Sequence, residues 1–132
     1  MRIIGHGLDI VDTARIARMI EVHGDRFLQR CFTAGERRYV TDRRRLAEHL
    51  AGRFAAKEAV LKALGTGLAL GIAWTDCEVV REPTGQPRPV LHGHARKIAQ
   101  DLGITQWLLS ITHIDSTAAA SAIAVGPDQK AE

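Results

Sequence analysis

Long apolar runs are absent from these 132 residues. None reaches the ~18 residues that a membrane-crossing helix requires, so no transmembrane helix is expected. The opening Met1-Arg2-Ile3-Ile4-Gly5-His6-Gly7 is too short in apolar residues and too quickly charged to read as a secretory signal. Cysteine is scarce: Cys31 and Cys77 form neither a metal-like spacing nor a disulfide framework. Both read as buried small side chains, and a reducing cytoplasm is the expected compartment. Aromatics make up only 5% of the chain, with no RNP-like or helix-turn-helix pattern among them, which counts against a nucleic-acid reader. The arginines nonetheless keep one alternative open, a small basic module that binds nucleic acid or an acidic protein without catalysis. Also missing are a P-loop, a Gly-x-Gly-x-x-Gly fingerprint and a serine-nucleophile elbow. There is no internal repeat and no linker.

The length suits one domain, residues 1–126, with a frayed tail over residues 127–132. The net charge of +3 is unevenly spread. Residues 1–65 hold 13 Lys and Arg against 8 Asp and Glu, whereas residues 66–132 hold 5 against 7. A basic first half suits an acidic partner or a phosphate ligand.

The chain is organised around Leu46 to Gly71. Ala and Leu dominate there, and Leu46, Leu50, Phe54, Leu61 and Leu64 recur at roughly helical spacing. A long helix is predicted, ended by Gly65 and followed by the Gly-rich loop Thr66–Gly71. Glu58 and Lys62 share one face of it, as do Arg53 and Lys57. By spacing alone this is a surface helix with two ordinary charge pairs, or a helix that presents a carboxylate and lysines to a metal and a phosphate.

Before it, Arg2–Ile10 reads as a strand with Ile4, Leu8 and Ile10 on one face and Asp9 as its odd residue. Asp9 is either a strand-end cap or a ligand, and Asp12 and Thr13 already supply the cap. Thr13–His23 reads as a helix with Ile16, Met19 and Ile20 inward. Asp25–Phe32 is the next segment, and the capping box Thr33-Ala34-Gly35-Glu36 starts a third helix running to about Thr41. Asp42-Arg43-Arg44-Arg45 is a solvated turn or, beside a phosphate, an anion clamp. After the Gly-rich loop come strands at Thr75–Arg81 and Pro89–His92 around the turn Pro83–Pro87. A helix over Gly93–Leu102 follows, with Ala95, Ile98, Ala99 and Leu102 inward. The strands Trp107–His113 and Ala118–Val125 complete the pattern. Helices first and mostly strands later predict an α+β fold with an antiparallel sheet.

Asp9 and Glu58 are the carboxylates hardest to explain as plain surface. A few carboxylates completed by phosphate suit Mg²⁺, and Lys57, Lys62, Arg44, Arg45 and Arg53 are placed to neutralise a diphosphate. His113 reads as a satisfied strand-end histidine, a phosphate donor or a general base. The residues by themselves point to a Mg²⁺-dependent transferase or hydrolase acting on a diphosphate.

Three stretches, in order, carry a resemblance: Gly5-His6-Gly7-Leu8-Asp9-Ile10, Ala51-Gly52-Arg53-Phe54-Ala55-Ala56-Lys57-Glu58-Ala59 through Gly65-Thr66-Gly67, and Leu109-Ser110-Ile111-Thr112-His113. The chain resembles the holo-[acyl-carrier-protein] synthases of the 4′-phosphopantetheinyl transferase superfamily over nearly its whole length. The resemblance implies that family's fold and transfer of the phosphopantetheine arm of coenzyme A to a serine of acyl carrier protein, with release of adenosine 3′,5′-bisphosphate. It implies Mg²⁺ on Asp9 and Glu58, with Glu58 or a water it orients as the base and Lys62 on the transferred phosphate. Arg44, Arg45, Arg53 and His113 match positions near the 3′-phosphate, and Gly65, Thr66, Gly67, Gly85 and Pro87 match loops around the nucleotide. Arg15, Met19, Arg26 and Arg30 match the carrier-docking face. A homotrimer is implied, with sites between subunits and the docking helix supplied by the neighbour. No nucleic-acid or membrane partner is expected. The chain departs from the pattern at Ile114, where many relatives carry a hydroxyl residue, and at Val22 and His23, where a relative carries polar or basic residues.

Overall fold

A computed structural model of the chain describes residues 1–40 and 42–129. Its axis is helix α4, Leu46–Leu64. Past its first turn, every residue of α4 is buried except Glu58 and Lys62. The expected surface helix is therefore the core of the molecule. Its Ala-rich sequence allows this, because small side chains let backbones approach on every side.

Strand β1 (Arg2–Asp12) leads into α1 (Thr13–His23), α2 (Asp25–Cys31) and α3 (Ala34–Tyr39). A 3₁₀ turn over Arg43–Arg45 enters α4, and another at Trp74–Asp76 precedes the hairpin of β2 (Cys77–Arg81) and β3 (Pro87–Leu91). Helix α5 (Gly93–Asp101) and strands β4 (Gln106–His113) and β5 (Thr117–Gly126) follow. The strands form two antiparallel sheets, β1-β5-β4 and β2-β3, rather than one. Pro87 and Pro89, two apart, remove N–H donors from one edge of β3, so the hairpin stays two-stranded.

The three-stranded sheet meets α4 through the smallest residues available. A Cβ on Gly5 would overlap the carbonyl oxygen of Ala63, and one on Gly7 that of Ala59. Ala118, Ala120, Ala122 and Ala124 of β5 are buried beside them. On the other side of α4, Phe27, Phe32, Phe54 and Trp74 stack in series, with ring centroids 5.9, 6.4 and 4.7 Å apart.

Several sequence expectations are corrected. The inward face of β1 is Gly7, Asp9 and Val11, while Leu8 and Ile10 are exposed. The register slips between Ile3 and Gly5, and the tight approach of α4 leaves room for glycine but not for leucine. The strand expected from Thr75 begins at Cys77, because Asp76 closes a 3₁₀ turn by accepting from the Ala73 amide at 3.1 Å. The return strand starts at Pro87 and ends at Leu91, since His92 becomes the N-cap of α5 and donates its amide to the Asp76 carbonyl at 2.7 Å. Leu102 lies past the end of α5 and is exposed. Helix α3 ends at Tyr39, and Thr41 lies outside the described residues, as do residues 130–132 of the expected tail.

Candidate active site

Because glycine stands at positions 5 and 7, β1 lies close enough to α4 for Asp9 to meet the helix turn that carries Glu58 and Lys62. Asp9 is 9% exposed. Its Oδ1 accepts from Lys62 Nζ at 2.9 Å, and the same ammonium donates to the Leu8 carbonyl at 3.0 Å. Its other oxygen, Oδ2, is buried with no partner among the described residues. Glu58 is half-buried beside it. Burial, then the adjoining Asp9 carboxylate, push the Glu58 carboxyl up to about 7, with Arg15 and Lys62 opposing. Two carboxylates thus crowd one another with a single flanking ammonium and an unused lone pair. The arrangement fits a hard divalent cation, which would satisfy Oδ2 and relieve the repulsion. Asp9 and Glu58 are the residues that would hold it; no group of three or more Asp, Glu, His or Cys that would cage a metal from protein alone exists among the described residues.

Lys57 has a different fate from the one its spacing suggested. It is fully buried, paired with Glu36 Oε1 at 2.7 Å, and donates to the carbonyls of Trp74 and Cys77. With all three donors committed inside the core, it is not placed to neutralise a diphosphate. Glu36 shows how much the capping-box reading missed. It caps α3 through Oε1 and accepts the Val79 amide through Oε2 at 2.9 Å, tying α3, α4 and β2 together. No local spacing joins Glu36 to Lys57.

Arg15, Met19, Arg26 and Arg30, from α1 and α2, all line one groove of about 520 Å³ whose floor includes Phe54 and Trp74. The Arg15 guanidinium lies 5.8 Å from the Phe54 ring centroid and opposes the rise of the Glu58 pKa, so this α1 borders its own chain's carboxylate pair. The resemblance assigned that helix to a neighbouring subunit. Within one chain the two features already adjoin.

The other anticipated ligand residues lie on separate elements. Arg44, Arg45 and Arg53 belong to the N-terminal half of α4 and its entry turn. Arg53 is buried, with its guanidinium 4.5 Å from the Tyr39 ring centroid and its Nε unpartnered among the described residues. His113 ends β4, exposed. Lys62, Gly65, Thr66 and Gly67 lie at the far end of α4, roughly 28 Å along a helix of this length. Gly65 and Gly67 both have positive φ there, 80° and 55°. Pro87 borders a second groove of about 630 Å³ with Arg88 and Trp107, while Gly85, at φ 90°, turns the hairpin. Ile114 and Val22 are exposed. The sequence reading overlooked His49, which stands between Arg45 and Arg53 on α4; its four-residue spacing from both was the available signal.

Comparisons with known proteins place the chain in a family. Residues 5–120 match the family model of the 4′-phosphopantetheinyl transferase superfamily. A holo-[acyl-carrier-protein] synthase of Koribacter versatilis is 49% identical over 121 residues, covering 92% of this chain and 97% of that protein. An acyl carrier protein synthase from Plasmodium yoelii with ADP bound superposes with a TM-score of 0.86 at 33% identity, covering 96% of this chain and 98% of that one. A Helicobacter pylori holo-[acyl-carrier-protein] synthase in complex with coenzyme A does so with a TM-score of 0.80 at 28% identity, covering 91% and 99%. Matching in sequence and in fold over nearly its whole length, the chain belongs to the holo-[acyl-carrier-protein] synthase family of the 4′-phosphopantetheinyl transferase superfamily.

Proposed function

We propose that this chain transfers phosphopantetheine from coenzyme A to a serine of acyl carrier protein with Mg²⁺ held by Asp9 and Glu58, releasing adenosine 3′,5′-bisphosphate. The observation that carries the metal is the buried, unpartnered Oδ2 of Asp9 beside a carboxyl displaced to about 7. When bound, the cation supplies charge neutralisation for a diphosphate. The serine oxygen forms the new bond to the pantetheine-side phosphorus, and the bond from that phosphorus to the bridging oxygen breaks. The serine proton passes to the Glu58 carboxylate, directly or through one ordered water. Lys62, on the next turn of α4 and half-exposed, follows the charge of the transferred phosphate. Arg15, Met19, Arg26 and Arg30 offer an acidic carrier a basic rim around an apolar floor.

The working unit is read as a homotrimer. Two features support it. Arg45 and Gly65 sit at opposite ends of α4, so a substrate held by both groups takes them from two copies. The outer face of the large sheet also leaves Ile3, Leu8, Ile10 and Leu108 exposed. No helix among the described residues is long and apolar enough to cross a membrane, and a cytoplasmic site of action is proposed with the substrates.

The test is intact-mass analysis of an apo acyl carrier protein incubated with the chain, coenzyme A and Mg²⁺. The expected gain is one phosphopantetheine, ~340 Da, as for any covalent modification that adds its own mass. It should vanish with chelator and return with added Mg²⁺. A gain that persists in chelator overturns the metal assignment; free phosphopantetheine with an unmodified carrier would mark a diphosphate hydrolase instead.

A further inference from the structure

Arg45 caps the start of helix α4, and His49 and Arg53 follow it at four-residue spacing along the N-terminal half. Strand β4 runs against α4 in the opposite sense. Trp107, at the start of β4, packs with the cluster that holds Leu61 and Leu64. Ile111 further along reaches Gly52, its Cγ2 lying 3.2 Å from where a Cβ would stand. His113 is two residues on and points to the same side as Ile111. It therefore falls beside the turn that carries His49. The fields agree: burial first, then Arg53, Arg45 and His113, hold the His49 imidazole below its ordinary range, with Glu48 the one opposing acid. Arg53 meanwhile keeps a buried Nε without a partner among the described residues and has a second arginine, Arg81, in its field.

Arg53, Arg45 and His113 all oppose a proton on His49 and only Glu48 favours one, so this cation-rich stretch is open to an anion. A dianionic phosphate reverses the local field. An imidazole that is neutral among cations then gains a proton and becomes a charged donor. Exposed on α4, His49 is free to do so.

We propose that His49 is a ligand of the 3′-phosphate of coenzyme A, and that it sets this chain's preference for coenzyme A over its 3′-dephospho form. The inference rests on the coenzyme A reading above and adds a residue to it. A charge-assisted hydrogen bond of ordinary strength corresponds to roughly tenfold in binding.

The experiment compares kcat/KM for coenzyme A with that for 3′-dephospho-coenzyme A in the wild type, His49→Ala and His49→Arg. In His49→Ala the ratio should fall roughly tenfold through the KM for coenzyme A. In His49→Arg it should recover, as a structural role for the imidazole would not. An equal change with both substrates, or none with either, overturns the proposal. Calorimetric titration with adenosine 3′,5′-bisphosphate and with 5′-AMP decides the point without turnover: only the bisphosphate should bind His49→Ala more weakly. A wild-type chain that binds the bisphosphate but modifies no carrier would sink the transferase reading and leave this one to the titration.

Discussion

Helix α4 carries two lysine–carboxylate pairs, and they differ in nearly every physical respect. Lys57 and Glu36 are both sealed from solvent, 2.7 Å apart, with every donor and acceptor assigned. Lys62 and Asp9 are 2.9 Å apart, but the Lys62 side chain is 53% exposed and Asp9 keeps an empty oxygen. The saturated pair has nothing left to offer a ligand. It ties three elements together, and its burial makes it sensitive to loss of either partner. The open pair is held in place by the fold yet remains incompletely satisfied, the condition in which a carboxylate has capacity for chemistry. The two lysines are five residues apart, so what separates them is the side of the helix each occupies.

The sharpest way to break this contrast is to remove one partner from each pair. Lys57→Ala leaves Glu36 buried and uncompensated, and should cost about 3–5 kcal/mol of folding stability, read by denaturant unfolding. A stability loss below about 1 kcal/mol would remove the structural role assigned to the pair. Asp9→Asn should act the other way round. It keeps the shape and relieves the crowding at Glu58, so unfolding should be little changed, while carrier modification falls roughly 10²-fold or more. Wild-type transfer by Asp9→Asn at saturating Mg²⁺ would dissolve the distinction between the pairs.

A smaller effect sharpens it. The Glu58 carboxyl titrates near 7 in the folded, metal-free chain and near the ordinary 4.5 when unfolded. The folded state therefore binds that proton more tightly. Its stabilising contribution is complete below about 4.5 and is lost as pH rises through about 7. Glu58→Gln should consequently raise the melting temperature more at pH 8 than at pH 5, measured in chelator. A gap between variant and wild type that does not change with pH would show that Glu58 is not crowded by Asp9.

Much of the fold was legible in the chain. The capping box at Thr33, the αL glycine at position 65 and the alternation of β4 are local signals with local causes, and each stands where expected. The inversion of β1 was not legible, because apolar alternation names a face without saying what covers it. Only the approach of the α4 backbone makes glycine the inward residue and leaves leucine outside. Glu58 and Lys62 stood out together by their four-residue spacing. Asp9 stood out as a lone acid in an apolar strand, and its juxtaposition with them required the fold. Lys57 was misread because a one-dimensional pattern cannot tell the solvent side of a helix from its buried side when the apolar residues run all round.

The sequence by itself determined the elements, the absence of an apolar stretch long enough to span a membrane as a helix, and the family through its motifs, because these depend on neighbours along the chain. Tertiary structure alone decided which lysine is structural and which is open, and it gathered Arg15, Met19, Arg26 and Arg30 around one groove. It also set His113 beside the His49 turn. Those outcomes rest on contacts between residues tens of positions apart, where burial and partner count, rather than residue type, fix what a charged side chain can do.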